Sequence, residues 1–189
     1  MASWFWIAFA LSVIALAGCT ASAGLPSYGV VPDFTLIDQS NQPFLSANTL
    51  RGKVWIADFI YTNCAGPCPR MSAQMRQVEQ VLLPDIKDLR VVSFTVDPAR
   101  DTPEVLARYA ARYEAPPGVW YFLTGPQATL HNLARNVFTL GDVNGDLEHS
   151  TRFVLVDRQS RVRGHYLTSD EDALPHLIAD AKRVAKDRI

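Results

Sequence analysis

Cysteine is scarce: three in 189 residues, too few to frame a small disulfide scaffold. Net charge is scarce as well, at −1, so no strong field argues for a nucleic-acid partner or an anionic lipid surface. No repeat or low-complexity block interrupts the chain, which sets repeat arrays aside. The first 32 residues carry no charged side chain, yet they hold no run long enough to span a bilayer comfortably. Trp4 to Gly18 is apolar apart from Ser12, short of the about 20 residues a membrane helix needs. That length suits the hydrophobic core of a signal peptide. What remains is ordinary for a globular fold, with 48% hydrophobic and 20% charged residues, and a chain of this size buries a sizeable core.

The apolar run ends in "LAGC", Leu16 to Cys19. This resembles a lipobox, the cleavage signal of bacterial lipoproteins, in which small residues precede a cysteine whose thiol takes a diacylglyceryl group. The resemblance implies residues 1–18 as a signal peptide, Cys19 as the lipidation site and 19–32 as a lipid-anchored tether. A single domain over 33–189 would follow. The other reading is an uncleaved short anchor with Cys19 near its end. Both place the body on the extracytoplasmic face of the cell membrane, the periplasmic side in a bacterium with two membranes. Two or more acyl chains anchor stably, each buried CH₂ adding about 0.8 kcal/mol.

Past the tether, "DFTLID" alternates as a strand and "QSNQPF" turns it into a short return over Phe44 to Leu50. "KVWIADFIYT" is β-branched and aromatic, long enough for a central strand. Met71, Met75, Val78 and Leu82 recur at helical spacing and predict a helix over 67–83, with both methionines in its core stripe. "LRVVSFTVD" is a second buried strand. Thr102 caps, and Pro103 opens, a helix. "VWYFLTG" is a third strand and residues 126–137 a third helix. "TRFVLVD" and "VRGHYL" pair across "RQSR", and Ser169 is expected to cap a last helix with acidic residues in its first turn. The pattern is α/β: a mixed central sheet flanked by helices, with an N-terminal hairpin extension. In a thioredoxin-like fold, a dithiol sits where Cys64 and Cys68 fall, between the first buried strand and its helix.

If Cys19 is consumed by the anchor, Cys64 and Cys68 are the remaining pair, in a compartment that oxidises thiols. Their spacing is one helical turn, which places both on one side if the segment enters the helix. A structural disulfide closing so short a loop stabilises little. A redox couple and a metal site remain. Pro67 keeps Gly66 from helical geometry, Pro69 suits a first turn, and a helix N-terminus favours thiolate. Three residues separate the cysteines, where the thioredoxin redox motif has two. Two soft thiolates suit Cu(I), and an added imidazole makes a site for either copper oxidation state. Of four histidines, His131 and His176 fall on helices and His165 near Arg161 and Arg163. His149 lies in a loop just before a strand, where that fold brings a loop against the dithiol. Asp97 and Asp101 read as turn and cap residues near the site's edge, with partner contact a lesser alternative.

Taken in order, "PDFTLIDQSNQPF", "GKVWIADFIYTNCAGPCPRM", "VSFTVDPARDTPEVLARYA" and "GDLEHSTRFVLVD" resemble the Sco/SenC family, thioredoxin-like copper proteins of cytochrome c oxidase assembly. The resemblance implies one copper ion, Cu(I) or Cu(II), held by Cys64, Cys68 and His149. It implies delivery of that copper to the copper-bearing subunit of the oxidase, or reduction of a disulfide at its dinuclear centre to thiols. Other copper chaperones or thiol reductants would be further partners, with no nucleic acid. Ala65 and the Gly66–Pro67 pair stand where the family commonly has proline and an apolar residue. A metal-independent thiol–disulfide oxidoreductase and a passive copper buffer are the rival readings. A thiol peroxidase is disfavoured, because "DFIYTN" before Cys64 lacks the proline and the threonine spacing of its loop.

Overall fold

The computed structural model describes residues 24–140 and 151–187. β1 (Thr35–Asp38) turns back as β2 (Pro43–Leu45), pairing Leu36 with Phe44, and a single helical turn α1 (Ser46–Thr49) follows. β3 (Trp55–Ile60) leads into α2 (Cys68–Leu82), and β4 (Arg90–Thr95) into α3 (Pro103–Arg112). β5 (Trp120–Thr124) precedes α4 (Gln127–Asn132), which continues as a π-helical turn over Leu133–Val137. β6 (Arg152–Val156), β7 (Val162–Leu167) and α5 (Ala173–Lys186) complete the chain. The sheet order is β2-β1-β5-β4-β3-β6-β7. β3, β4 and β5 run parallel at its centre, with antiparallel strands on both sides. This is the mixed sheet with an N-terminal hairpin that the alternation predicts.

Every residue of β3 is buried, as a central strand covered on both faces requires. Alternate side chains point to opposite faces. Ile56 and Ile60 join α2, α3 and α5 in one core layer. Trp55, Ala57 and Phe59 join α4 and the hairpin in the other. Thr102 caps α3 as expected, its hydroxyl accepting from the Val105 N–H. Ser169 does not cap α5. That helix starts at Ala173 after Asp172, with no acidic residue in its first turn, because Thr168 to Asp170 are held in a turn, the Asp170 N–H on the Leu167 carbonyl. The third predicted helix is not uniform either: its second half widens to π geometry, the Phe138 N–H reaching back to the Leu133 carbonyl.

The described part of the predicted tether lies along β7. Tyr28 N–H donates to the Val162 carbonyl, and Val162 N–H to that of Gly29. Buried Arg163, paired with Asp157 at 2.6 Å, donates to the carbonyls of Leu25 and Pro26. Among the described residues, no helix is long and apolar enough to cross a membrane.

Candidate metal and thiol site

β3 and β4 end level with each other, the Val96 N–H on the Ile60 carbonyl at 2.8 Å. The chain then leaves the sheet through Tyr61 and Thr62 and turns, the Cys64 N–H meeting the Tyr61 carbonyl at 3.3 Å. Cys64 sits in this turn, not in the helix. Cys68 is the first residue of α2, after Pro67 as its cap and with Pro69 in the first turn, where an N–H is dispensable. Both thiols are free. They are also buried, Cys64 at 7% and Cys68 at 4% exposure. Gly66 leaves room beside the outer sulfur, since a β-carbon there would lie 3.8 Å from Cys64 Sγ.

The two thiols are unequal. Burial opposes ionisation of Cys64. Hydrogen bonds from the Cys68 thiol, the backbone N–H groups of Cys68 and Gly66, and the Tyr61 hydroxyl outweigh it, and its pKa falls below the ordinary thiol value. Burial pushes Cys68 up to about 12, reinforced by its hydrogen bond to Cys64 and by the charges of Cys64 and Asp58. Of the pair, Cys64 is therefore the sulfur biased toward the thiolate expected at this helix N-terminus. Cys68 stays protonated because its sulfur lies deeper and donates to its neighbour.

Beneath the pair lies a polar cluster within the apolar layer. Asp58, fully buried in mid-β3 and opposite Ser93 of β4, has no well-formed hydrogen bond on either carboxylate oxygen. Burial pushes its pKa up to about 7, the Ser93 hydroxyl pulling the other way by a smaller amount. The Ser93 hydroxyl accepts from Trp120 Nε1 at 2.9 Å, and Ser72 of α2 bonds Tyr109 of α3 at 3.0 Å. Asp101, 1% exposed, accepts from the Thr62 N–H and from the hydroxyls of Thr62 and Thr95. Asp97 is half-exposed and paired with Arg100 at 2.8 Å, the turn role its sequence suggests.

The geometry brings together two of the sequence-predicted site residues, Cys64 and Cys68. His149 and Cys19 lie outside the described residues. Among the described residues, no three His, Cys, Asp or Glu side chains group to hold a metal. Met71 and Met75 are core residues at 1% and 0% exposure, as their spacing predicts. His165 is half-buried. Its Nε2 contacts the Phe138 carbonyl at 2.9 Å, its ring meets Tyr28, and burial lowers its pKa. Sequence reasoning missed Asp58, Tyr61 and the burial of Asp101. For Asp58 the signal was available: a lone carboxylate inside "VWIADFIYT".

The chain as a whole also matches known proteins. The SCO1/SenC family model covers residues 23–186. The chain belongs to this family. A SCO1/SenC lipoprotein from Bacillus anthracis superposes with TM-score 0.74 at 30% identity, over 83% of this chain and 95% of that one. BsSco, described as a member of the Sco family of cytochrome c oxidase assembly proteins with a disulfide switch, gives TM-score 0.73 at 31% identity. The match covers 87% of this chain and 97% of BsSco. Yeast Sco1 with copper bound gives 0.68 at 25% identity, over 88% and 97%. The SCO1/SenC fold accounts for the described sheet and helices together.

Proposed function

We propose that this SCO1/SenC chain holds one copper ion, Cu(I) or Cu(II), through Cys64, Cys68 and His149. Its role is to serve assembly of the dinuclear copper centre of cytochrome c oxidase, by delivering copper or by reducing a disulfide there to the two thiols that receive it, the Cys64–Cys68 pair becoming the disulfide in exchange. The observation that carries this reading is the pair of free, adjacent sulfurs at the head of α2, one of them biased toward thiolate. Two sulfurs and an imidazole form a donor set that soft copper prefers. Yeast Sco1, of the same fold, binds copper, and BsSco belongs to a family of oxidase assembly proteins. Copper is the cargo: a partner's thiolates take it by replacing Cys64 and Cys68 one at a time. Oxidation of the pair to a disulfide removes both sulfur donors, so redox state gates loading. Lipidation at Cys19 would keep the site at the extracytoplasmic membrane surface, a reading supported by "LAGC" and by the lipoprotein relative.

The test is a copper titration of the reduced protein against Cys64→Ala, Cys68→Ala and His149→Ala. One equivalent should bind wild type, with affinity lost by at least 100-fold in either cysteine variant and by at least tenfold in His149→Ala. Full affinity in His149→Ala removes the imidazole ligand.

The unequal thiols favour a second reading, a metal-independent thiol–disulfide oxidoreductase. Cys64 as thiolate would attack a partner's disulfide, and Cys68 would then release the mixed disulfide. Reduced protein that reduces model disulfides and retains no copper decides for it.

A further inference from the structure

We infer that Asp101 is a positioning residue for the dithiol, holding the Cys64 turn through the N–H and hydroxyl of Thr62. The inference rests on Cys64 and Cys68 being the reactive pair. A carboxylate in a β4–α3 connection ordinarily faces water. Asp101 instead is 1% exposed, its own N–H fixed to the Asp97 carbonyl at 2.9 Å, so the loop delivers it inward. Its two oxygens meet three donors. Two belong to Thr62, the N–H at 3.2 Å and the hydroxyl, and the third is the Thr95 hydroxyl. Thr62 is two residues before Cys64 and lies past the last ladder bond, that of Val96 to Ile60. Beyond that bond, the turn carrying Cys64 has a bond within itself, Cys64 N–H to Tyr61 carbonyl at 3.3 Å, and the start of α2 on its far side.

Asp101 therefore closes the near side of the turn, and α2 the far side. With both ends held, Cys64 is presented to Cys68 at high effective concentration. That quantity sets how readily the pair closes to a disulfide, because closing an ordered pair costs little further entropy. Thr95 supplies a control. Its hydroxyl bonds the same carboxylate from β4 and accepts from the Asp97 N–H at 2.9 Å, while making no bond to the cysteine turn itself.

The experiment equilibrates full-length, copper-free protein in glutathione buffers. Each Cys64–Cys68 disulfide forms as the two thiols lose two protons and two electrons, reducing one oxidised glutathione to two thiols. The disulfide fraction is read by mass after alkylation, alongside the urea midpoint. Thr62→Val and Asp101→Asn should each lower the closure constant at least threefold, and Thr95→Val by less than twofold. The inference is overturned if both first variants stay within twofold of wild type, whatever the urea midpoint does. It is overturned equally if Thr95→Val moves the constant as far as Thr62→Val. Should Asp101→Asn not fold, Thr62→Val decides alone. Because no copper is present, a wild type that fails to bind copper leaves this result standing and ends only the copper reading.

Discussion

The two faces of the sheet are built from different chemistry. On the α4 side, Phe34, Phe59, Phe94, Phe138 and Trp55 pack ring on ring, Phe59 over Phe94 at 4.9 Å and Trp55 edge-on to Phe138 at 5.9 Å. On the α2 side, the same strands bury Asp58, Ser93 and Thr95 beside two thiols, with Ser72 and Tyr109 facing them from the helices. The phenylalanine rings need no partner and stabilise by area and shape alone; on this face only the Trp55 Nε1 donor, among the rings named, is buried without one. Each buried polar group, by contrast, costs free energy unless it is satisfied. A fold selected for stability alone would have two faces of the first kind. The polar inclusions lie on the face that carries the sulfurs, which marks them as part of the site's environment.

Four measurements sharpen or break this contrast. Phe94→Ala should cost about 3–5 kcal/mol in urea denaturation and leave the alkylation rate of folded Cys64 unchanged; a thiol effect would mean the faces are coupled. Asp58→Asn acts through pH. The Asp58 carboxyl is raised in the fold from its usual 3.8 to about 7, so its contribution is intact below about pH 4 and is lost as pH rises through about 7. Wild type should lose stability across that window, by up to roughly 4 kcal/mol, and the asparagine variant should not. A flat difference between the two from pH 4 to 8 would show that Asp58 is solvated. Tyr109→Phe removes a buried bond to Ser72 and should cost about 1 kcal/mol by thermal unfolding. Thr102→Ala, at an exposed cap with a 3.5 Å bond, should cost roughly 0.5 kcal/mol and leave both faces unaffected.

Period and punctuation in the chain carry most of the fold. The all-buried strand around Ile56, the methionine stripe of α2 and the Thr102–Pro103 cap were each legible, because each follows from a local rule. The start of α5 was not, since Ser169 is a good cap by type and loses to a turn closed on Leu167. The π-helical turn after Asn132 was not legible either. Its hydrogen bonds depend on how Leu133 and Phe138 seat in the aromatic layer. Within the site, Cys64 and Cys68 were legible from spacing. The inequality of their pKa values was not, because it depends on which sulfur lies deeper and which donates.

By itself the chain determined the order of strands and helices, the placing of two cysteines at the head of a helix and the membership in a family. These follow from short-range pattern, which neighbouring residues are sufficient to impose. Only the tertiary structure decided that Asp101 turns inward to reach Thr62, that Asp58 lies unpaired beneath the sulfurs and that one thiol differs from the other. Those outcomes depend on burial and on contacts between residues as much as 39 positions apart, as for Thr62 and Asp101. A charge's surroundings are a property of the packed molecule, not of the residues beside it in the chain.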